Sequence, residues 1–137
     1  MVTKISNELE KGNITCNVFL DFAKAFDTVD HDILLGKLQH YGIRGRSNQW
    51  FESYLKNRYQ SVKIRGQMSS KELITCGVPQ GSILGPILFL LYINDIKNSS
   101  KMLQFFLFAD DTSTLLTGKD IHEIESNCNK ELGKVSN

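Results

Sequence analysis

Three aspartates, Asp21, Asp110 and Asp111, are the strongest candidates in this sequence for a catalytic or metal-binding site. Asp110 and Asp111 are adjacent and follow an apolar run at residues 103–108, which predicts a mostly buried strand with both carboxylates in a tight turn at its end. Asp21 comes near the end of another apolar stretch, residues 14–22, which also predicts a strand. Each Asp is equally typical of an ordinary turn or a helix N-cap. The two strands would have to be neighbours for the three carboxylates to form one site.

Such a site would bring a formal charge of about minus three into one pocket, where repulsion and burial both disfavour the ionised carboxylates. Divalent cations with oxygen ligands are the commonest compensation. Two Mg2+ ions about 3.5–4 Å apart, for which Mn2+ can substitute, would stabilise the attacking and leaving oxygens of a phosphoryl transfer. This chemistry needs no protein nucleophile, and the histidines, His31, His40 and His122, lie in polar contexts that predict surface positions.

The composition limits the class of protein. A chain of 137 residues is long enough for one core, so it is one domain or a piece of one. Its 16 Lys and Arg against 15 Asp and Glu give no global basic field, and any nucleic-acid surface must be local. The cysteines, Cys16, Cys76 and Cys128, are too far apart for a zinc motif, which predicts small core residues in a reducing compartment. No apolar run is long enough to span a bilayer, so we expect a soluble, intracellular protein without a membrane partner.

The elements that would position the aspartates can be predicted from hydrophobic periodicity. Helices are predicted at residues 1–11, 30–42, 47–57, 82–97 and 120–132, and strands at 14–22, 61–65, 73–76, 103–108 and 113–117. Asp30 is the predicted N-cap of the second helix. Residues 73–76 are predicted to return as the hairpin partner of residues 61–65. The side chains expected to be buried on the second and third helices are Leu34, Leu38, Tyr41, Trp50, Phe51, Tyr54 and Leu55. The fourth helix is apolar around its whole circumference, which predicts burial on most sides.

This order of elements indicates an α+β fold, in which helices cover one face of an antiparallel sheet. It is compatible with a split βαβ, ferredoxin-like arrangement. In that arrangement the strand of Asp21 can lie beside the hairpin that carries Asp110 and Asp111.

Four basic residues follow the third predicted helix closely: Lys56, Arg58, Lys63 and Arg65. The alternation of residues 61–65 predicts a half-exposed strand with a basic polar face. Solvated surface charge is the first interpretation of these side chains, and a ribbon that faces nucleic-acid phosphates is the second.

Three segments of the chain resemble, in the same order, successive palm motifs of reverse transcriptases. They are FLDFAKAFD at residues 19–27, GVPQGSILGP at residues 77–86 and FADD at residues 108–111. The second segment is a specific signal, whereas FADD alone is a weak one. The resemblance is closest to the enzymes of non-LTR retrotransposons, which are LINE-like or jockey-type, and it extends from about Val18 to about Leu132.

The resemblance implies roles for individual residues. Asp21 and Asp110 would be the chief metal ligands, Asp111 would support them, and the Phe22 carbonyl would reach the second ion. Phe26 would block a ribose 2′-hydroxyl and so select dNTPs, because a steric clash rejects an added hydroxyl firmly. The residues implied to lie beside the incoming nucleotide, the template base or the primer end are Gln80, Gly81 and Ala109.

The resemblance also implies an RNA-directed DNA polymerase that uses an RNA template, a DNA primer and dNTPs, with an oligomeric state left open. We expect residues 1–137 to be a single partial reverse transcriptase domain, a palm with most of the fingers and all of the thumb absent. The alternative is a catalytically inactive retrotransposon-derived fragment with at most weak nucleic-acid binding. Another palm-type enzyme, such as a nucleotide cyclase, is disfavoured by the loop at residues 77–86.

Overall fold

The computed structural model describes residues 1–135, which form five α-helices and seven strands. The helices are α1 (Val2–Glu10), α2 (His31–His40), α3 (Arg46–Leu55), α4 (Leu84–Ile93) and α5 (Ile121–Val135). The strands are β1 (Ile14–Asp21), β2 (Arg58–Gln60), β3 (Lys63–Ile64), β4 (Gln67–Met68), β5 (Glu72–Ile74), β6 (Gln104–Phe108) and β7 (Asp111–Gly118). The prediction of a fold that mixes helices with an antiparallel sheet is confirmed.

The chain forms two compact units. The first consists of Met1–Ala23 and of the chain from Asn94 onwards, and the second is Lys24–Ile93. The three aspartates lie in the first unit, and the loop at residues 77–86 lies in the second.

The first unit is built on a three-stranded antiparallel sheet in the order β1-β7-β6. Strand β1 pairs with β7 along its whole length, from Ile14 opposite Gly118 to Asp21 opposite Asp111. On the other side of β7, the last pair is Phe108 opposite Asp111. All three strands therefore reach the same edge of the sheet, and Asp21, Asp111 and Phe108 form a row along it.

One face of this sheet packs against α5. The buried cluster there contains Leu103, Leu116, Ile124 and Cys128, and the half-buried Cys16 and Val18 of β1 pack against it. Because side chains alternate along a strand, Asp21 lies on the opposite face from Cys16 and Val18. Asp111 shares that face with Asp21, since cross-strand partners point the same way.

The second unit contains three helices and two short ribbons. Helix α2 packs against both α3 and α4. Asp30 caps α2 as predicted, and its carboxylate accepts a hydrogen bond from the Ile33 amide at 2.9 Å. Leu34 and Leu38 of α2 and Leu55 of α3 are fully buried, as predicted.

Some side chains expected in the core of the second unit are exposed. Tyr41 follows the last residue of α2 and is 40% exposed, and Trp50 is 54% exposed. Trp50 stacks on Tyr54, with 5.5 Å between ring centroids, so these rings cover each other at the surface. Helix α4 is shorter than predicted, and Ile87 and Leu90 remain half-exposed.

The hairpin pairing also differs from the prediction. Residues 73–76 were expected to pair with residues 61–65, but β5 pairs with β2 in a register that sets Arg58 opposite Ile74. The reason is a tight turn at Arg65 and Gly66, which both have positive φ, at 49° and 86°. Two such residues form the turn that best matches a twisted hairpin, so residues 63–64 pair with residues 67–68. The β2–β5 ribbon is formed by the residues that flank this short β3–β4 hairpin on both sides.

The cysteines and one histidine also correct the predictions. Cys76 is exposed, not a core residue, whereas Cys16 and Cys128 lie with their sulfurs 3.8 Å apart under the sheet. His31 was expected at the surface and is only 5% exposed.

Candidate active site

Asp21 and Asp111 are the terminal pair of the β1–β7 ladder, and both are exposed. The apolar run before Asp110 predicts burial of the carboxylates, and this expectation is wrong. The run lies in a strand with one face on α5 and the other open, so the aspartates at its end are hydrated. Side chains directly opposite each other in an antiparallel pair have Cβ atoms about 4.5–5.5 Å apart. The register therefore brings two of the three carboxylates side by side.

Asp110 lies in the two-residue turn between β6 and β7. The first residue of that turn, Ala109, has a φ of 53°, a conformation that costs a residue with a Cβ roughly 1–2 kcal/mol. A positive φ at the first loop position is typical of a type II′ hairpin turn. The strained turn sets Asp110, which is exposed, next to Asp111 at the sheet edge.

The donor chemistry of this edge fits a divalent cation that is shared with a substrate. Within residues 1–135, no group of three or more His, Cys, Asp or Glu side chains is arranged to hold a metal ion by itself. Mg2+ is usually held by one or two carboxylates, with waters and substrate phosphates as the remaining ligands. The paired carboxylates suit that kind of site and not a closed cage made by the protein alone. Phe22 follows Asp21 and is half-buried.

Aromatic side chains surround the carboxylate pair, a feature that was missed in the sequence. Phe19 is 74% exposed and Phe108 is 82% exposed. Together with Phe106 they line an open cavity of about 360 Å3 that also contains Asp21 and Asp111. The signal was present in the alternation of β1, because Phe19 lies two residues before Asp21 and so shares its face.

In the second unit, backbone hydrogen bonds attach the start of the 77–86 loop to the segment that follows Phe26. The Gly77 amide donates to the Val29 carbonyl at 2.7 Å, and the Val78 amide donates to the Phe26 carbonyl at 2.8 Å. The buried His31 ring donates from Nε2 to the Gly77 carbonyl at 2.8 Å. His31 therefore fixes this loop.

The candidate substrate residues of the second unit differ in how firmly they are held. The Phe26 ring packs against the buried Phe89 of α4, with centroids 4.7 Å apart. The Gln80 side chain donates from Nε2 to the Asp27 carboxylate at 2.6 Å. Gly81 has a φ of 79°, and a Cβ added there would meet nothing within 4 Å, so its backbone is open to close approach.

The basic residues do not form one surface. Lys56 is engaged by Asp32 at 2.7 Å and by Glu52 at 3.2 Å. The hydrogen bond and charge of Lys56 hold the pKa of Asp32 below its ordinary value, and the pKa of Lys56 is raised mainly by its hydrogen bond to Asp32. Arg58 is half-buried, whereas Lys63 and Arg65 are exposed on the short ribbon.

The structure thus groups the predicted residues in two sets. The first unit contains Asp21, Phe22, Ala109, Asp110 and Asp111. The second unit contains Phe26, Lys56, Arg58, Lys63, Arg65, Gln80 and Gly81.

Comparison with known protein families shows to which family the chain belongs. The family model for reverse transcriptase (RNA-dependent DNA polymerase) matches residues 3–137. The chain belongs to the reverse transcriptase family. The resemblance inferred from the three motifs is therefore confirmed.

Curated relatives carry the same affiliation. The RNA-directed DNA polymerase from mobile element jockey of Drosophila melanogaster is 32% identical over 120 residues, which is 82% of this chain and 13% of that protein. Its counterpart in Drosophila funebris is 34% identical over 114 residues, or 78% of this chain and 12% of that protein. The probable RNA-directed DNA polymerase from transposon BS of Drosophila melanogaster is 38% identical over 88 residues, or 59% of this chain and 9% of that protein.

The chain thus spans about a tenth of the length of these three relatives, between 9% and 13%. In the described part of this fragment, no helix combines the length and the apolar character that a membrane span requires.

Proposed function

We propose that this chain is the palm portion of an RNA-directed DNA polymerase, which transfers dNMP from a dNTP to a primer 3′-hydroxyl on an RNA or DNA template. The observation that carries the proposal is the strand register. It sets Asp21 opposite Asp111 with Asp110 in the adjoining turn, and these are the positions where the family motifs have their aspartates. The proposal includes one partial polymerase domain over residues 1–137, with the split βαβ topology of a palm.

Asp21, Asp110 and Asp111 hold divalent cations in this proposal, two Mg2+ or Mn2+ ions, with Phe22 adding its backbone carbonyl. When bound, such ions would promote deprotonation of the primer hydroxyl and neutralise charge on the triphosphate. The carboxylates are exposed, so a triphosphate can reach them from solvent and complete the ligand set. The strained turn at Ala109 holds Asp110 in place and sets Ala109 near the primer end.

Phe26 selects deoxyribose in this proposal. Its contact with Phe89 restricts the ring, and a restricted ring is what a steric barrier to a 2′-hydroxyl requires. Gln80 and Gly81 border the incoming nucleotide and the template base, and the open space at Gly81 is compatible with close approach by a ligand.

A second candidate function is weak nucleic-acid binding by a catalytically silent fragment. One observation favours it: the side chains of Lys63 and Arg65 are exposed at the short ribbon of β3 and β4, where a nucleic-acid phosphate can reach them. Arg58, Lys63 and Arg65 would then supply the binding, because Lys56 is neutralised by its acidic partners.

Primer extension on a poly(rA)/oligo(dT) duplex distinguishes the two candidates. We expect the full chain to incorporate dTTP with Mg2+, to stop when EDTA is added, and to reject UTP. Phe26→Val should accept UTP while it still uses dTTP, because the barrier to the 2′-hydroxyl is gone. No incorporation by protein that circular dichroism shows to be folded would contradict the polymerase proposal and favour the silent fragment.

A further inference from the structure

Two of the cysteines form a pair inside the first unit. Cys16 of β1 and Cys128 of α5 are 112 residues apart in sequence, yet the Cys16 thiol donates a hydrogen bond to the Cys128 sulfur at 3.8 Å. Both are free thiols, and the third cysteine, Cys76, is exposed in the second unit. None of the three has a role in the proposed polymerase chemistry.

The two thiols of the pair differ in their access to solvent. Cys128 is 6% exposed and belongs to the buried cluster beneath the sheet, whereas Cys16 is half-buried on β1, an edge strand of the sheet. Burial raises the pKa of the Cys128 thiol, and its hydrogen bond with Cys16 raises that pKa further. A small oxidant therefore reacts first at Cys16, while Cys128 is still a thiol.

The separation of the two sulfurs is short enough for a covalent bond to form in the folded protein. A disulfide bond is about 2.05 Å long, so each sulfur has to move by about 1 Å from its present position. Rotation about the Cα–Cβ bonds moves a sulfur atom over such a distance. Strand β1 is paired with β7 along its whole length and α5 packs on both strands, which keeps the two side chains within reach of each other.

We propose that Cys16 and Cys128 are a site of reversible oxidation, at which a peroxide converts the two thiols to one disulfide. With hydrogen peroxide, the Cys16 sulfur attacks a peroxide oxygen, the O–O bond breaks, and Cys16 becomes a sulfenic acid with release of water. The Cys128 sulfur then attacks the Cys16 sulfur, and the sulfenic oxygen leaves as a second water. The two thiols lose two electrons and two protons in total, and the peroxide is reduced to two molecules of water.

The disulfide would join the first strand of this unit to its last helix. Because such a bond restricts the unfolded chain most when it closes a long loop, a link between residues 112 apart should stabilise the fold. Strand β1 ends at Asp21, so the link would also hold the strand of one candidate metal ligand against α5. The site depends on the fold of the first unit and not on polymerase activity.

The test is a count of free thiols with DTNB in denaturant, after the folded Cys76→Ser chain has been treated with hydrogen peroxide. Cys76→Ser removes the exposed thiol, which could otherwise link two chains. We expect two thiols before oxidation, none after it, and two again after dithiothreitol. The thermal midpoint of the oxidised chain should be higher by about 10 °C, the size of shift expected for one unstrained disulfide across a long loop.

The matched control is the double variant Cys16→Ala/Cys76→Ser, which leaves Cys128 without its partner. The Cys128 thiol should survive the same treatment in this variant, because it is buried. Tryptic peptide masses of the oxidised unsubstituted chain are a second measurement, which does not depend on the folding of any variant. The peptides that contain Cys16 and Cys128 should appear joined, with the loss of two hydrogens.

Three results would overturn the inference. One is survival of both thiols in folded Cys76→Ser at a peroxide concentration that oxidises the same chain in urea. Another is a gain of oxygen on Cys16 without a link to Cys128. The third is an equal loss of the Cys128 thiol in the double variant, which would show that the pairing is not needed. None of these results bears on primer extension, so failure of this inference and failure of the proposed function are distinguishable.

Discussion

At the scale of single residues, Thr112 is a buried hydroxyl without a hydrogen bond. It is 2% exposed, and no described residue supplies a partner for its Oγ1. Its cross-strand neighbours are Leu20 and Leu107. Thr112→Val keeps the shape and removes the unpaired group, so we expect the free energy of unfolding to rise by about 1 kcal/mol. Urea denaturation should show a higher midpoint with an unchanged slope.

Thr114 is the matched control on the same face of β7. It is 1% exposed, but its hydroxyl donates to the Val18 carbonyl at 3.5 Å. Thr114→Val loses that bond and should not stabilise the protein. A Thr112→Val variant that is less stable than the unsubstituted chain would contradict the assignment of an unsatisfied hydroxyl.

Glu131 is a buried carboxylate whose ionised form is stabilised by two partners. It is 3% exposed, and it accepts hydrogen bonds from Lys134 Nζ at 2.5 Å and from Ser100 Oγ at 2.6 Å. These bonds, with that from Lys134 the larger cause, lower the pKa of Glu131 from its ordinary value of 4.5. Because the pKa is lower in the folded state than in the unfolded state, ionised Glu131 stabilises the protein above pH 4.5. This stabilisation is lost progressively as the pH falls below 4.5.

Glu131→Gln should therefore lower the thermal midpoint near neutral pH. The difference in thermal midpoint between Glu131→Gln and the unsubstituted chain should become smaller as the pH falls below 4.5, because Glu131 becomes protonated there and no longer stabilises the fold as a carboxylate. Glu125→Gln, at an exposed position of α5, should match the unsubstituted chain throughout. A gap for Glu131→Gln that stays constant down to about pH 3 would contradict this account.

The residues of the candidate site were predicted from motif and strand pattern, but their surroundings were not. The predicted split βαβ arrangement allowed the strand of Asp21 to lie beside the hairpin of Asp111, and the register sets the two residues opposite each other. The exposure of the aspartates was not predicted, because an apolar run such as residues 103–108 does not reveal that only one face of its strand is covered by other residues. His31 was missed because its partner, the Gly77 carbonyl, is distant in sequence.

At the scale of elements, the attachment of the 77–86 loop depends on a glycine. Gly77 has a φ of 87°, and a Cβ there would lie 2.8 Å from the Asp27 carbonyl oxygen and 2.9 Å from the Asp27 Cα. Gly77→Ala must therefore separate two backbone segments that are hydrogen-bonded to each other. We expect a loss of about 3 kcal/mol in the free energy of unfolding, from overpacking and backbone strain together.

Gly81→Ala is the control in the same loop. Its φ of 79° is also positive, but the added Cβ meets nothing within 4 Å. Only the conformational cost remains, about 1 kcal/mol. Equal losses in urea denaturation for the two variants would contradict the close approach at Gly77. Under the proposed function, Gly81→Ala should also raise the KM for dTTP, since it narrows the approach to the backbone.

The elements themselves show where sequence patterns are sufficient. Helix α2 was predicted together with its Asp30 cap, because the cap and the spacing of Leu34 and Leu38 are local signals. The pairing of β5 with β2 was not predicted, because it depends on the turn at Arg65 and Gly66. The exposure of Trp50 was also missed, since its spacing fits either a core or a surface stack.

At the scale of the whole molecule, family membership and catalytic capacity are separate questions. The family model covers nearly the whole chain, whereas the chain spans only 9–13% of the three relatives compared above. The motifs were sufficient to predict the family. The sequence could not show whether three exposed carboxylates without a preassembled metal cage retain activity, because that depends on ligands that a substrate must complete.

Whether the three carboxylates form a catalytic site is tested by primer extension with the full chain and with Asp110→Asn, using Mg2+ and dTTP on poly(rA)/oligo(dT). Asp120→Asn is the control, because Asp120 caps α5 at the His122 amide and Asn caps a helix equally well. We predict extension by the unsubstituted chain and by Asp120→Asn, and a loss of at least about a hundredfold in Asp110→Asn. Equal extension by Asp110→Asn and the unsubstituted chain would contradict the assignment of the carboxylates as the catalytic site.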